Sequence, residues 1–343
     1  MAAAAALYLA AATAGACDVP VCVMALREWR REPYRVGYFY RGEASPADAQ
    51  ANALLERLAA GKQGKVNLSF NKVDVAKIAD LPADDLGRLI WEHGPKDNLP
   101  CHVIITPRGA EMFAGRLEAD DVRQLTGSPF VAKLAEPLSK GGLALLILQG
   151  GDQAANAAAR KVVDEALAAL AEHELEMTTL TVRRDDPKQR WLVRQLLAVE
   201  DDLTSLPGPM VFAAFGRGRV LPPCVGKGVT PDNVTADIEF LSGPCLCDYR
   251  SGVGISLVTD LDWVAALPAD LPEYWGGSED PYRSALVELD DEPGAPRPPA
   301  AAPTPGAASP PLFLSSWLWA ALVLVAGGVI VGGAVVVVLG RRE

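Results

Sequence analysis

A short pattern that occurs twice constrains this chain more than any other feature. Leu99–Gly109 reads L-P-C-H-V-I-I-T-P-R-G, and Leu206–Gly218 reads L-P-G-P-M-V-F-A-A-F-G-R-G. In each copy a proline runs straight into an apolar strand. A glycine-containing turn follows, and a second strand returns (Glu111–Leu117; Arg219–Val225). Proline has no backbone donor, so it fits the start of a strand and not the interior of a sheet. The copies lie about one domain length apart, which predicts a duplicated domain.

The flanking segments repeat in the same order. In the first half, Val19–Arg31 carries Cys22, Ala25, Leu26 and Trp29 at helical spacing, and Tyr34–Arg41 alternates as a strand. Ser45 caps a helix running to Ala60, with Ala51, Leu54, Leu55 and Leu58 turned inward. A strand over Lys65–Val75, a helix over Asp84–Glu92, the hairpin, and a helical stretch from Asp120 broken near Pro129 complete it. In the second half, Leu143–Gln149 is a continuous apolar run, the mark of a strand buried on both faces. Asp152 caps a helix to Glu172. A strand over Leu175–Val182 follows, then a helix over Pro187–Val199 with Pro187 in its first turn, the second hairpin, and a helix over Pro231–Leu241. Asp260–Leu267 reads as one more helix. Both halves therefore run β-α-β-α-β-β-α, which predicts an α/β fold: mixed sheets flanked by helices.

Charge and motifs narrow the function. The net charge is −11, with no block of Lys or Arg, which argues against nucleic acid as a partner. No serine nucleophile elbow, phosphate loop, dinucleotide loop or metalloprotease motif is present. His93, His102 and His173 are far apart in sequence. His102 adjoins Cys101, but neighbours on a strand point to opposite faces, so they do not form a catalytic pair. No metal set and no cofactor is assigned.

The ends of the chain point to a membrane. Residues 1–16 read as a signal peptide: an apolar run followed by Ala14-Gly15-Ala16, a small-x-small cleavage pattern. A lipidated Cys17 is the rival reading. Trp317–Leu339 contains no charged residue and is long enough to cross a bilayer. Trp317 and Trp319 lie at one end and Arg341 and Arg342 at the other, which orients the C-terminus to the cytoplasm. Gly328 and Gly332 form a G-x-x-x-G face suited to close approach of a second helix, from another membrane protein or a second copy. The segment before it is acidic and then Pro/Ala-rich, an extended stalk. The organisation read from the sequence is 1–16 signal peptide, 17–138 first domain, 141–268 second domain, 269–314 stalk, 315–340 transmembrane helix and 341–343 cytoplasmic tail. It describes a bacterial single-pass protein in the cell membrane, with its domains periplasmic.

The element order, with a proline directly before the third strand, resembles the thioredoxin-like fold. The resemblance covers roughly 17–138 and 141–245. It implies that Pro100 and Pro209 occupy the cis-proline position beside the family's redox site. It also exposes a departure. The family's C-x-x-C pair sits after the first strand, where a helix N-terminus lowers the thiol pKa. Those positions read R-G-E-A-S-P (Arg41–Pro46) and Q-G-G-D-Q (Gln149–Gln153), without cysteine. The chain is thus expected to be a tandem thioredoxin-like binding or assembly module.

The six cysteines leave one alternative. Cys17, Cys22, Cys101, Cys224, Cys245 and Cys247 permit three disulfides in an exported protein. Cys17 and Cys22 are close enough to bridge locally, and Cys224 can pair with Cys245 or Cys247. Cys245-Leu246-Cys247 can instead form a strained, readily reduced bond, which would make the protein a thiol–disulfide enzyme or redox sensor, or can bind a soft metal. Cys101, next to Pro100, is either packed or close to a partner at the site edge.

Overall fold

The computed structural model describes residues 19–43, 45–60, 66–83, 85–91, 98–172, 175–244 and 253–263. Residues 1–16, the stalk, Trp317–Leu339 with Gly328 and Gly332, and Arg341 and Arg342 lie outside them. Among the described residues no helix is long and apolar enough to cross a membrane.

Each half builds a mixed sheet. In the first, β1 (Tyr34–Tyr40) pairs in parallel with β2 (Leu68–Asp74) and antiparallel with β3 (Cys101–Ile105), which turns into β4 (Glu111–Gly115). The order is β2-β1-β3-β4. In the second half, β5 (Leu143–Gln149) pairs in parallel with β6 (Met177–Arg183) and antiparallel with β7 (Met210–Phe215). The short β8 (Arg219–Val220), β9 (Cys224–Val225) and β10 (Ile255–Ser256) complete this sheet. Its main path is β10-β8-β7-β5-β6, with β9 beside β7. The run β6-β5-β7-β8 repeats the order of the first sheet. The glycines of the two hairpin turns, Gly109 and Gly218, adopt φ of +90° and +78°, a region that favours a residue without Cβ.

The helices follow the sequence signals closely. They are α1 (Val21–Arg27), α2 (Pro46–Ala59), α3 (Leu86–Trp91), α4 (Ala119–Thr126), α5 (Pro129–Ser139), α6 (Gln153–Ala169), α7 (Arg190–Leu197) and α8 (Pro231–Ser242). Ser45, Ser128, Asp152 and Thr230 accept first-turn backbone hydrogen bonds at the starts of α2, α5, α6 and α8. Pro187 does not open a helix. Asp186 accepts from the Lys188 N–H at 2.9 Å, which holds that segment in a turn, and α7 begins only after Gln189. The helix expected over Asp260–Leu267 is absent from its described part. Asp260 and Asp262 are irregular and Trp263 lies in a turn, because Asp260 N–H donates to the Thr126 carbonyl at 3.1 Å.

One apolar core runs through both halves. Tyr34, Val36, Leu55 and Leu68 from the first half cluster with Leu146, Val182, Trp191 and Phe212 from the second. Strand β5 is buried on both faces, as its unbroken apolar run predicts. Ala144, Leu146 and Leu148 face the shared core, while Leu143, Leu145 and Ile147 face a second cluster. That second cluster also contains Val21, Cys22 and Ala25 of α1, and Trp29 just beyond it. The first helix among the described residues therefore covers the second sheet, although sequence order grouped it with the first domain. A third cluster of Phe39, Val73, Ile90, Cys101, Val103 and Ile105 backs the first sheet.

Candidate functional site

Register defines where the first site must sit. Cys101 pairs with Phe39, so Pro100 lies beside the chain as it leaves β1 for the Arg41–Pro46 turn. The Leu99–Pro100 peptide is cis. Ser45 ends that turn and accepts the Asp48 N–H at 3.3 Å. Its hydroxyl donates to Asp48 Oδ2 at 2.6 Å. Arg116, just after β4, grips the same carboxylate with two bonds: Nε to Oδ1 at 2.5 Å and Nη2 to Oδ2 at 2.9 Å. Its Nη2 also donates to Ser45 Oγ at 2.5 Å, and the Tyr38 hydroxyl donates to Asp48 Oδ2 at 3.2 Å. Asp48 is fully buried and Arg116 half-exposed. Burial acts to raise the Asp48 carboxyl, but hydrogen bonds from Arg116 and Ser45, with the Arg116 charge, hold it below the ordinary carboxylate range. The Tyr38 hydroxyl is pushed up to about 12, by burial first and then by the Asp48 charge.

His102 sits behind this network. The Leu117 N–H donates to Nδ1 at 3.2 Å, so Nε2 carries the hydrogen and donates to Asn52 Oδ1 at 3.0 Å. The imidazole is fully buried, 4.7 Å from the Tyr38 ring centre to centre. Burial lowers its pKa to about 4, despite the nearby Asp48 charge. His102 and Cys101 do point to opposite faces, since Cys101 belongs to the cluster behind the sheet. A polar cleft of about 340 Å³ opens beside Asp48 and Arg116, lined also by Gln50, Glu118, Asp120 and Arg123. Arg123 is paired with Asp120. The hydroxyls at the site, Ser45 and Tyr38, both donate to the Asp48 carboxylate, which Arg116 also grips, so the site is a closed polar network.

The corresponding turn in the second half is closed by different means. Asp152 accepts from the Ala154 and Ala155 N–H groups at 2.8 and 3.3 Å. Asn156 ties Gly150 down, accepting from its N–H at 2.9 Å and donating to its carbonyl at 3.0 Å. Gly150 abuts the backbone of Pro207 and Gly208, where an added Cβ would stand 2.3 Å from the Pro207 oxygen. Pro209 does not share the cis geometry of Pro100. The expectation of two cis-prolines holds for Pro100 alone. The second loop meets the strand-to-helix turn through this backbone contact, and Met210 pairs with Leu148 immediately after it.

The cysteines divide. Cys22, Cys101 and Cys224 carry free thiols, so the expected bridges from Cys22 and Cys224 are not formed. Cys22 is buried inside the α1 cluster, and burial raises its thiol to about 12. Burial raises Cys101 to about 11. Cys224 is raised to about 12, first by burial and then by the charge of Asp237, whose Oδ2 lies 3.6 Å from its Sγ. All three thiols are protonated at neutral pH and poor nucleophiles. Cys17, Cys245, Cys247, His93 and His173 lie outside the described residues. Among the described residues no group of three potential ligands converges on a metal position.

Sequence reasoning placed Ser45 and Pro100 but missed Asp48, Arg116, Tyr38 and Asn52. Asp48 reads only as first-turn acid on α2, and nothing in the sequence couples it to an arginine on the far side of the hairpin.

No protein-family model matches the chain, and comparison with curated proteins finds no match. Among solved structures, the chain is similar to the zinc-bound form of human ERp44, at 12% identity and a TM-score of 0.22. That match covers 62% of this chain and 55% of ERp44. It is similar to the first two thioredoxin domains of Saccharomyces cerevisiae Eps1p, at 12% identity and a TM-score of 0.23, covering 61% of this chain and 92% of that one. ERdj5 form II matches at 10% identity and a TM-score of 0.20, over 63% of this chain and 27% of that one. The chain thus spans little more than half of ERp44 and about a quarter of ERdj5. These neighbours are thioredoxin-domain proteins. The architecture seen here, two mixed sheets each flanked by helices, is consistent with thioredoxin-like domains.

Proposed function

We propose that this protein is a membrane-anchored, extracytoplasmic tandem thioredoxin-fold module that binds or assembles a partner without the fold's usual redox chemistry. One observation carries the reading. At both strand-to-helix turns a side-chain oxygen occupies part of the helix N-terminus where a thiolate would be stabilised: Ser45 accepts the Asp48 N–H in one half, and Asp152 accepts the Ala154 and Ala155 N–H groups in the other. The partner contacts the cleft beside Asp48 and Arg116, whose exposed guanidinium and carboxylates suit a polar peptide segment. Trp317–Leu339 anchors the module, and Gly328 and Gly332 provide the face for a membrane protein or a second copy. No nucleic acid takes part.

The alternative, a thiol–disulfide enzyme working through Cys245 and Cys247, rests on the C-x-C spacing. Affinity purification from membranes in mild detergent, with peptide mapping under non-reducing conditions, separates the two. A stable co-purifying protein, together with cysteines that do not exchange with added thiols, supports the module. A Cys245–Cys247 bond that exchanges with added thiols, with no retained partner, overturns it.

A further inference from the structure

We infer that the two halves are interlocked by exchanged end segments, so that the folded region opens as one unit and presents one rigid body to a partner. The first exchanged segment is α1. It precedes the first sheet in sequence yet buries Cys22 and Ala25 in the cluster behind the second sheet, with Leu26 in the shared core. Arg217, in the turn after β7, donates from Nε to the Leu26 carbonyl at 2.6 Å and from Nη2 to the Arg27 carbonyl at 2.5 Å. These bonds satisfy carbonyls that the helix C-terminus leaves open. At the other end of α1, the Val21 N–H donates to the Gly243 carbonyl at 3.0 Å, and Pro20 pairs with Pro244. Gly216 permits this approach, since a Cβ there would lie 2.7 Å from that of Ala25.

The second exchanged segment runs the other way. Ile255 and Ser256 extend the second sheet by pairing with Val220 and Arg219, and the Leu257 N–H donates to the Gly218 carbonyl at 2.8 Å. The chain then crosses to the first half. Buried Asn67 donates to the Leu257 carbonyl at 3.2 Å and accepts the Thr259 N–H at 3.3 Å. Gln195, on α7 of the second half, accepts the Val258 N–H at 2.6 Å between them. Arg31 donates to the Thr259 hydroxyl at 2.7 Å, and Asp260 N–H reaches the Thr126 carbonyl. The first described segment thus completes the second half, and the last described segment completes the first half. Neither sheet keeps its cover when the other opens.

Hydrogen exchange read by mass spectrometry on the full chain in mild detergent tests this. Val103 lies in the cluster confined to the first half, and Val163 on α6 in the cluster backing the second sheet. Val103→Ala and Val163→Ala are each expected to speed exchange of the β3 and β5 amides together, by the same factor of about ten. Acceleration of β3 alone by Val103→Ala, and of β5 alone by Val163→Ala, overturns the interlock. Should an alanine variant fail to fold, Arg217→Lys gives the same decision. A shared acceleration of β3 and β5 supports the interlock, and one confined to β5 rejects it.

Discussion

Lowering the pH should destabilise this protein through His102 before any other part of the Asp48 network responds. The folded environment lowers the imidazole pKa from 6.5 to about 4, with burial the leading cause. Protonation would also place a second ring donor at Nδ1 against the Leu117 N–H, which already donates there. The unfolded chain therefore binds more protons than the folded one between these two values, so stability falls as pH falls through that window. From pH 7 to pH 5 the loss is about 2 kcal/mol, and it levels off at about 3 kcal/mol below pH 4. For a folded region of this size, 2 kcal/mol corresponds to a Tm drop of about 4–8 °C. Asp48 acts in a different window. Its folded pKa is depressed, so its contribution is present above the ordinary carboxylate value of 3.8 and is lost only at lower pH. Asp237, raised by burial, works in the opposite sense to His102 as pH falls. The decisive quantity is thus a difference between two proteins. Melting followed by circular dichroism across pH 5–7 should show a flatter profile for His102→Gln than for the unmodified chain. His93, His173 and Asp237 are common to both and cancel. Equal pH slopes in the two proteins would refute the argument that His102 is held neutral by burial.

Three further outcomes follow from the same geometry. Arg219 is fully buried against Glu32, the carbonyls of Val253 and Gly254, and the Trp29 ring. Glu32→Gln leaves this guanidinium without its carboxylate and should cost about 3 kcal/mol in urea denaturation; a loss below about 1 kcal/mol would show that the pair contributes little. Ser45→Ala removes both a helix cap and a donor to Asp48, with an expected loss of about 1–2 kcal/mol at pH 7. The Asp48 carboxyl should rise at the same time, a change visible in its side-chain NMR titration and absent if Arg116 alone sets it. Gly328→Ile combined with Gly332→Ile should lower the yield of crosslinked dimer or complex in membranes, and an unchanged yield rejects the close-packed helix face.

How much of this was legible in the sequence depends on the range of the interaction that carries it. Ser45 and Asp152 were readable as caps because a cap bonds backbone two or three residues away. The double burial of β5 was readable from an unbroken apolar run. Cys22, Ala25, Leu26 and Trp29 were readable as an apolar stripe at helical spacing, yet that Cys22, Ala25 and Trp29 cover the second sheet while Leu26 enters the shared core was not, because burial of apolar surface is non-directional and names no partner. Asp260–Trp263 failed as a helix for a related reason. The Asp260 and Trp263 N–H groups donate to the Thr126 and Leu261 carbonyls, and local spacing cannot announce that the Asp260 partner lies so far back in the chain. The candidate site shows the same division. Pro100 and Ser45 emerged from local chemistry, whereas the Arg116 grip on Asp48 spans a turn, two helices and three strands. The polar contacts at this turn combine both ranges: a local cap accepts one N–H of the helix start, and a distant arginine locks the acid beside it.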